Sequence, residues 1–264
     1  MPRKPIEQTE LLVDTHVHTH YSDGLASVPR IERFCRDRGL GVAVTDHNEI
    51  RGSTIMFERE RVPVIPGIEV GTEEGVDLLV YFSTAERLEE FYKEAIEPFL
   101  RARFMSRSWV QSIDCLRTAK EMGAYVSLAH PFAFGRKSLD YQHGRRGQSF
   151  VESVMQAVDA IELYNGGIHR HANRKAKAYA VTAGKRLTVG SDSHRLGTIG
   201  SCGTYLRPAA NNESAAMFDS LKTTGDLRFK MKGSASTTTI PMFGLIALKH
   251  TRHFVRAKRR PEQT

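Results

Sequence analysis

The chain has few of the residues that build covalent or aromatic frameworks. Its 264 residues include three cysteines, one tryptophan and 8% aromatic residues in all. Cys35, Cys115 and Cys202 lie far apart and are odd in number, which argues against a disulfide framework and points to a reducing cytoplasm. No run approaches the roughly 18–20 apolar residues of a membrane span, and the longest candidate, "PMFGLIALKH", soon turns basic. The N-terminus, "MPRKPIEQTE", has charge but no apolar core of the kind a secretory signal carries. Internal repeats and low-complexity segments are also missing. So is any acidic excess, since the net charge is +8. That charge is unevenly spread, with Lys249, Arg252, Arg256, Lys258, Arg259 and Arg260 standing against Glu262 near the end. Such a tail suits nucleic acid or an anionic membrane surface, or is simply a solvated terminus. Hydrophobic residues at 40% and charged residues at 26% are ordinary for a globular protein with a full core. We expect one domain over residues 1–235, followed by a basic tail over 236–264.

Short apolar bursts alternate with helix-like segments. The strand candidates are "LLVDTHV", "GVAVTDH", "VPVIPGIEV", "VDLLVYF", "AYVSLAHP", "DAIELYN" and "RLTVGSDS", often continuous in hydrophobicity, as strands buried on both faces tend to be. Between the first two, "SVPRIERFCRDRG" reads as a helix. Ser27 is its N-cap, Pro29 sits in the first turn, Ile31, Phe34 and Cys35 form its apolar stripe, and Gly39 stops it. Residues 84–123 read as two longer helices and 167–183 as another. The alternation predicts β/α units around a mostly parallel sheet. Phe132 to Ser149 shows little periodicity and carries Arg136, Lys137, Arg145 and Arg146; it reads as a lid or as a mobile loop.

The chemistry is concentrated at the ends of the strands. His16 and His18 close the first strand and share a face, because strand side chains repeat every two residues. Asp23 follows in the loop. His47 comes just after the second strand, Glu69 ends the third, His130 follows "YVSL", and Asp192 and His194 end "LTVGSDSH". A single His-x-His pair arises easily by chance. So many ligand-type residues at matching strand ends point instead to one face of a β/α barrel, where active sites are built. A mixed histidine and carboxylate set without a CxxC pair suits Zn, Mn or Fe.

The segments "DTHVHTHYSDG", "VTDHNEI", "PGIEV", "AHP", "ELYNGG" and "GSDSH" resemble, in order, the PHP (polymerase and histidinol phosphatase) domain family of metal-dependent phosphoesterases. The resemblance spans Asp14 to His194, and its "YNGG" to "GSDSH" part resembles a PHP-associated C-terminal region. It implies a distorted (β/α)7 barrel holding two or three divalent ions. By resemblance, His16, His18, Asp192 and a bridging Glu69 hold the first ion, His130 shares Glu69 for the second, and Asp23, His47 and His194 hold the third. Many members carry His where Asp77 stands; Asp77 can still ligate and completes a set of nine candidates. Asp46 is expected to support the imidazole of His47 or to cap the chain locally, and Gly67 and Gly190 to permit tight turns. His169, Arg170, His171 and Arg174 are candidates to face a substrate phosphate, or form an exposed basic helix start.

These readings predict hydrolysis of a phosphate ester, either a small phosphomonoester or a nucleotide. Clustered divalent ions lower the pKa of water so that hydroxide is available near neutral pH. Glu69, His130 and His194, with Arg145 from the basic stretch to pair with phosphoryl oxygens, are the candidate catalytic residues. Two rivals stand beside this reading. One is a non-catalytic or exonucleolytic module that binds nucleic acid; the other is an amidohydrolase-like enzyme acting on a C–N or carboxyl ester bond.

Overall fold

The computed structural model describes residues 10–100, 106–208, 213–223 and 227–231. The basic tail, the "PMFGLIALKH" stretch and the expected boundary at 235 lie outside them. In chain order the elements are β1 (Leu11–Val17), α1 (Val28–Arg36), β2 (Gly41–Val44), α2 (Arg51–Glu58), β3 (Gly67–Gly71), β4 (Asp77–Tyr81), α3 (Ala85–Phe91), α4 (Ser112–Glu121) and β5 (Tyr125–Leu128). There follow α5 (Leu139–Arg146), α6 (Gln148–Ala157), β6 (Ala160–Asn165), α7 (Arg170–Ala183), β7 (Arg186–Gly190), β8 (Gly203–Leu206), α8 (Glu213–Thr223) and β9 (Arg228–Lys230). Each strand candidate of the sequence overlaps an observed strand; the short β8 and β9 were not expected.

Two sheets result, ordered β2-β1-β8-β9 and β3-β4-β5-β6-β7. The expectation of a mostly parallel sheet is corrected. Pairs β1–β2, β5–β6 and β6–β7 are parallel, whereas β3–β4, β4–β5, β1–β8 and β8–β9 are antiparallel. The reason for β3–β4 is chain length: residues 72–76 are too few for a parallel crossover, which takes a dozen residues or more, so a hairpin forms. Nor do the described residues close a (β/α)7 barrel. The sheets touch at two seams through isolated bridges, Val17 with Ser193 at one, Val42 with Val64 and His47 with Glu69 at the other.

Packing explains why the strands are continuous in hydrophobicity. In β4, Leu78 and Val80 face α3, α4 and α6 through Leu88, Phe91, Leu116 and Val154. The alternate residues Leu79 and Tyr81 face Val13, Ala43 and Leu206 of the other sheet, with Met217, Phe218 and Leu221 of α8 in the same cluster. A separate cluster joins Leu12, Val42 and Val44 to Ile31, Cys35 and Met56 of α1 and α2.

Helix α1 begins after Ser27 and is followed by Gly39 at φ 59°, as its sequence predicts, although the Ser27 side chain makes no capping bond. Residues 84–123 are more broken than expected. After α3 the chain widens into a π turn at Tyr92–Ile96 and then tightens into a 3-10 turn at Glu97–Phe99, where Pro98 offers no N–H to continue the ladder. The Phe132–Ser149 stretch is not irregular. It holds a 3-10 turn at Gly135–Lys137, helix α5 and the start of α6. Ser138 caps α5 by accepting from the Asp140 N–H, and Gly147 at φ 87° separates α5 from α6. Among the described residues, no helix is long and apolar enough to cross a membrane.

Candidate metal centre

All nine sequence candidates converge. His16 lies near the end of β1, His18 just beyond it, and Asp23 in the next loop; His47 follows β2, Glu69 is central in β3, and His130 follows β5. Asp192 and His194 follow β7. Asp77 reaches the same end by another route: it opens β4, which runs antiparallel, opposite Gly71.

Glu69 is the hub. His16 Nε2 and His18 Nε2 each lie 3.4 Å from its Oε2, and His47 Nδ1 lies 2.8 Å from that same oxygen. His130 Nε2 is 3.0 Å from its Oε1. Asp192 Oδ1 sits 3.1 Å from His18 Nε2 and 3.5 Å from His16 Nε2. On the other side, Asp23 Oδ2 is 3.2 Å from His194 Nε2 and 3.6 Å from His47 Nε2. Three groups have ligand-type atoms mutually within 4.8 Å: His18, Asp23, His47 and His194; His16, His18 and Glu69; and Glu69, Asp77 and His130.

The hydrogen bonding of these atoms says what they are for. His16 Nε2, both ring nitrogens of His18, His47 Nδ1, Glu69 Oε2, both Asp77 oxygens and His130 Nδ1 are buried without a directed hydrogen bond. Leaving a buried polar atom unpaired costs about 1–3 kcal/mol, so such a concentration needs a compensating partner. Imidazole nitrogens and carboxylate oxygens crowded to one point, without directed bonds between them, fit divalent cations.

The electrostatics agree. Burial disfavours charge on His18, and with His194 beside it the imidazole is pushed down to about 4, so it presents a neutral ring. Burial would also raise Glu69, but His47 and His16 outweigh it and hold the carboxyl well below its usual range. Asp23 is held low in the same way, burial being outweighed by His194 and His47. At His16 burial pulls the pKa down, yet Asp192, Glu162 and Glu69 raise it well above the ordinary imidazole value. The carboxylates here stay ionised and favour positive charge beside them.

Backbone strain collects here too. Among the described residues, the non-glycine positions at positive φ are Asn48, Glu60, His130 and Asp192, and all but Glu60 are candidate ligands or adjoin one. Such conformations persist only where the surroundings impose them. Gly190 is needed for close approach, not for a turn: a Cβ there would come 2.5 Å from the His16 Cβ. Gly67 is likewise a strand residue in β3, and a Cβ there would come 3.1 Å from Tyr81 and 3.2 Å from Thr45.

Sequence reasoning missed Glu162 and Asn165 in β6. Glu162 Oε1 accepts from His16 Nδ1 at 3.0 Å, and its Oε2 accepts from the His130 N–H at 2.8 Å and from Asn165 Nδ2 at 2.9 Å. Asn165 is braced in turn by Asn173 of α7 through paired bonds of 2.9 and 2.8 Å. An acid interrupting the apolar run "DAIELYN" was the available signal, the same one that exposed Glu69.

Other expectations change. Asp46 does not support His47. Its carboxylate accepts from Thr19 N at 2.7 Å, Thr19 Oγ1 at 2.6 Å and the Ser22 hydroxyl, tying down the loop between His18 and Asp23. Arg145 is exposed on α5, whereas Lys137 of the same basic stretch reaches the cluster. His169, Arg170, His171 and Arg174 are exposed at the start of α7, where the His169 ring accepts from the His171 N–H.

Comparison with known proteins fits this arrangement. Residues 170–224, which carry Asp192 and His194, match the PHP-associated family. A two-domain protein from Bacteroides vulgatus containing a predicted PHP-like metal-dependent phosphoesterase aligns with TM-score 0.55 and 18% identity, over 85% of this chain and 65% of that one. The chain has a PHP-like fold. The lesion-specific endonuclease PfuEndoQ from Pyrococcus furiosus aligns with TM-score 0.62 and 18% identity, over 83% of this chain and 57% of that one. Endonuclease Q in complex with a 27-mer duplex bearing an abasic lesion at the active site gives TM-score 0.61 at 17% identity, covering 83% and 58%. An uncharacterised protein of Methanocaldococcus jannaschii is 27% identical over 192 residues, 72% of this chain and 68% of that protein.

Proposed function

We propose that this PHP-like protein is a metal-dependent phosphoesterase acting on a small phosphomonoester or nucleotide, with divalent ions held by His16, His18, Asp23, His47, Glu69, His130, Asp192 and His194. The observation that carries this reading is Glu69, buried, with four imidazoles within 3.4 Å of its two oxygens. Divalent ions bound there supply water of lowered pKa and positive charge for a phosphoryl group.

The remaining residues set up that chemistry. His16 Nδ1 faces the Glu162 carboxylate and His194 Nδ1 faces the Asp192 carbonyl oxygen at 2.9 Å. Both partners only accept, so each Nδ1 carries the proton and each Nε2 lone pair is turned toward the cluster. The Asp46 carboxylate fixes the loop that delivers Asp23. A bound cation has only to displace the Nε2 proton of these two rings, whose orientation is already fixed through Nδ1, and that is the kind of preorganisation a hydrolytic site requires.

Loading the full chain with Mn²⁺ and assaying phosphomonoesters, nucleoside bisphosphates, short oligonucleotides and carboxyl esters tests the reading. Turnover of a phosphate ester, abolished by chelation and restored by metal, is the expected result. Turnover of the carboxyl esters alone would refute it in favour of an amidohydrolase-like activity. One observation favours a nucleic-acid substrate as the second reading: Phe134 is fully exposed three residues before Lys137, and an exposed aromatic ring is suited to stack on a base. Cleavage of oligonucleotides that falls in Phe134→Ala, with small-ester turnover intact, would select that reading.

A further inference from the structure

The three ligand groups are not equivalent. Asp77 in the Glu69–Asp77–His130 group already faces cations of the protein's own. Lys137 Nζ lies 2.5 Å from Asp77 Oδ2, and Arg107 Nη1 lies 3.8 Å from Asp77 Oδ1. The Asp77 side chain is fully buried. Among the described residues, no lysine or arginine nitrogen comes within 4 Å of a carboxylate oxygen of Asp23, Glu69 or Asp192, whose ion-pair partners are all histidines.

The position of Lys137 is built into the fold. It ends the 3-10 turn Gly135–Lys137. Gln142 of α5, itself fully buried, donates from one amide nitrogen to the Arg136 carbonyl at 2.6 Å and to the Glu74 carbonyl at 2.9 Å, strapping that turn to the β3–β4 hairpin. Arg136 adds a bond to the Glu73 carbonyl at 3.2 Å, and Leu139 N donates to the Pro131 carbonyl at 2.8 Å. The turn is therefore held between the hairpin that carries Asp77 and the segment that follows His130.

We propose that the Lys137 ammonium is the resident cation of the Glu69–Asp77–His130 group, so that the protein loads two divalent ions where the ligand count alone allows three. A lysine head is a compact charge with three donors and no lone pair for a metal when protonated. At 2.5 Å from a carboxylate oxygen it stands close to where a divalent ion bonded to that oxygen would stand, at about 2.0–2.2 Å for zinc. The two cannot share the position. This also explains aspartate where the family resemblance leads one to expect histidine: an ammonium needs an anionic acceptor, whereas a neutral imidazole serves a metal. The exchange of Asp77 and Lys137 for histidine and a metal is one coupled substitution. The inference rests on the phosphoesterase reading only in taking the other two groups to be metal sites.

The test is metal stoichiometry of the full chain, read by native mass spectrometry and elemental analysis after saturation with Mn²⁺ or Zn²⁺, with circular dichroism to confirm folding. Wild type is expected to carry two equivalents, Lys137→Arg also two, and Lys137→Met three. Three equivalents in the wild type would overturn the inference while leaving the phosphoesterase reading intact. So would a folded Lys137→Met that stays at two. A folded wild type that binds no metal would overturn both together. Should Lys137→Met not fold, the wild-type count and Asp77→His/Lys137→Met, expected at three, still decide the matter.

Discussion

Replacing Glu162 with glutamine probes how far the centre depends on a residue that ligates nothing. The wild-type carboxylate accepts three buried donors, His16 Nδ1 at 3.0 Å, the His130 N–H at 2.8 Å and Asn165 Nδ2 at 2.9 Å. Glutamine keeps the shape but has one oxygen, so its amide must turn NH₂ toward at least one donor. If it faces His16, the imidazole proton moves to Nε2 and the lone pair that should meet a cation is lost. If it faces His130, the strained backbone at φ 26° loses an anchor. Hydrogen bonds to charged groups contribute roughly 1.5–3 kcal/mol, and one such bond corresponds to about a 10–100-fold weakening of metal affinity. Competition of Glu162→Gln against a calibrated chelator should show that weakening for one ion, while circular dichroism stays that of wild type. Excess metal should restore turnover if the damage is to loading alone. A folded Glu162→Gln with affinity within two-fold of wild type would refute the idea that Glu162 sets the His16 tautomer.

Three further outcomes follow from the same geometry. Glu69→Ala strips the shared carboxylate from two of the three ligand groups, one of them held by Lys137, so elemental analysis should show loss of about one equivalent of metal and the ester assay should lose nearly all turnover. Asp46→Ala leaves Thr19 N and Thr19 Oγ1 without their acceptor and Ser22 Oγ with only Asp23 Oδ1 at 3.3 Å; at about 1–3 kcal/mol for a buried unpaired group, denaturant unfolding should show a loss of several kcal/mol, with turnover down about 10–100-fold through the Asp23 loop. Because divalent ions bind only the folded protein, free metal at a hundredfold over its Kd should add about 2.7 kcal/mol for each site filled, relative to the chelated protein. At about 2–4 °C per kcal/mol for a chain near this size, that is roughly 5–11 °C in Tm by differential scanning calorimetry.

The strands were legible because burial on both faces forces continuous apolar runs, and β4, with Leu78 and Val80 packed one way and Leu79 and Tyr81 the other, is a clear case. Their directions were less so. Hydrophobicity carries no polarity, and only the short connection over 72–76 separates a hairpin from a crossover. The helix over residues 139–146 was hidden because its apolar face is small, just Leu139 and Gln142 being buried, and its charges read as loop composition. Strands β8 and β9 were missed for a related reason: at four and three residues they are too short to show a period.

The site divides along the same physical line. Ligand-type residues announce themselves by interrupting apolar runs, and for that reason His16, Glu69 and His130 could be picked out in one dimension. Orienting residues are legible only if they interrupt a run in the same way. Glu162 did so and was passed over, because a carboxylate in a strand does not say whether it faces a cation or an imidazole N–H. Lys137 could not be placed at all. A lysine in a basic stretch looks like solvated surface, and what brings it to Asp77 is the Gln142 strap across to Glu74, a contact spanning 68 residues of sequence. The hairpin matters most here: by reversing β4 it sets Asp77 at the first position of a strand among the last positions of its neighbours, next to a turn that carries an ammonium. The aspartate that looked like an imperfect ligand when read along the chain therefore becomes, in the fold, half of an ion pair lodged among the ligands.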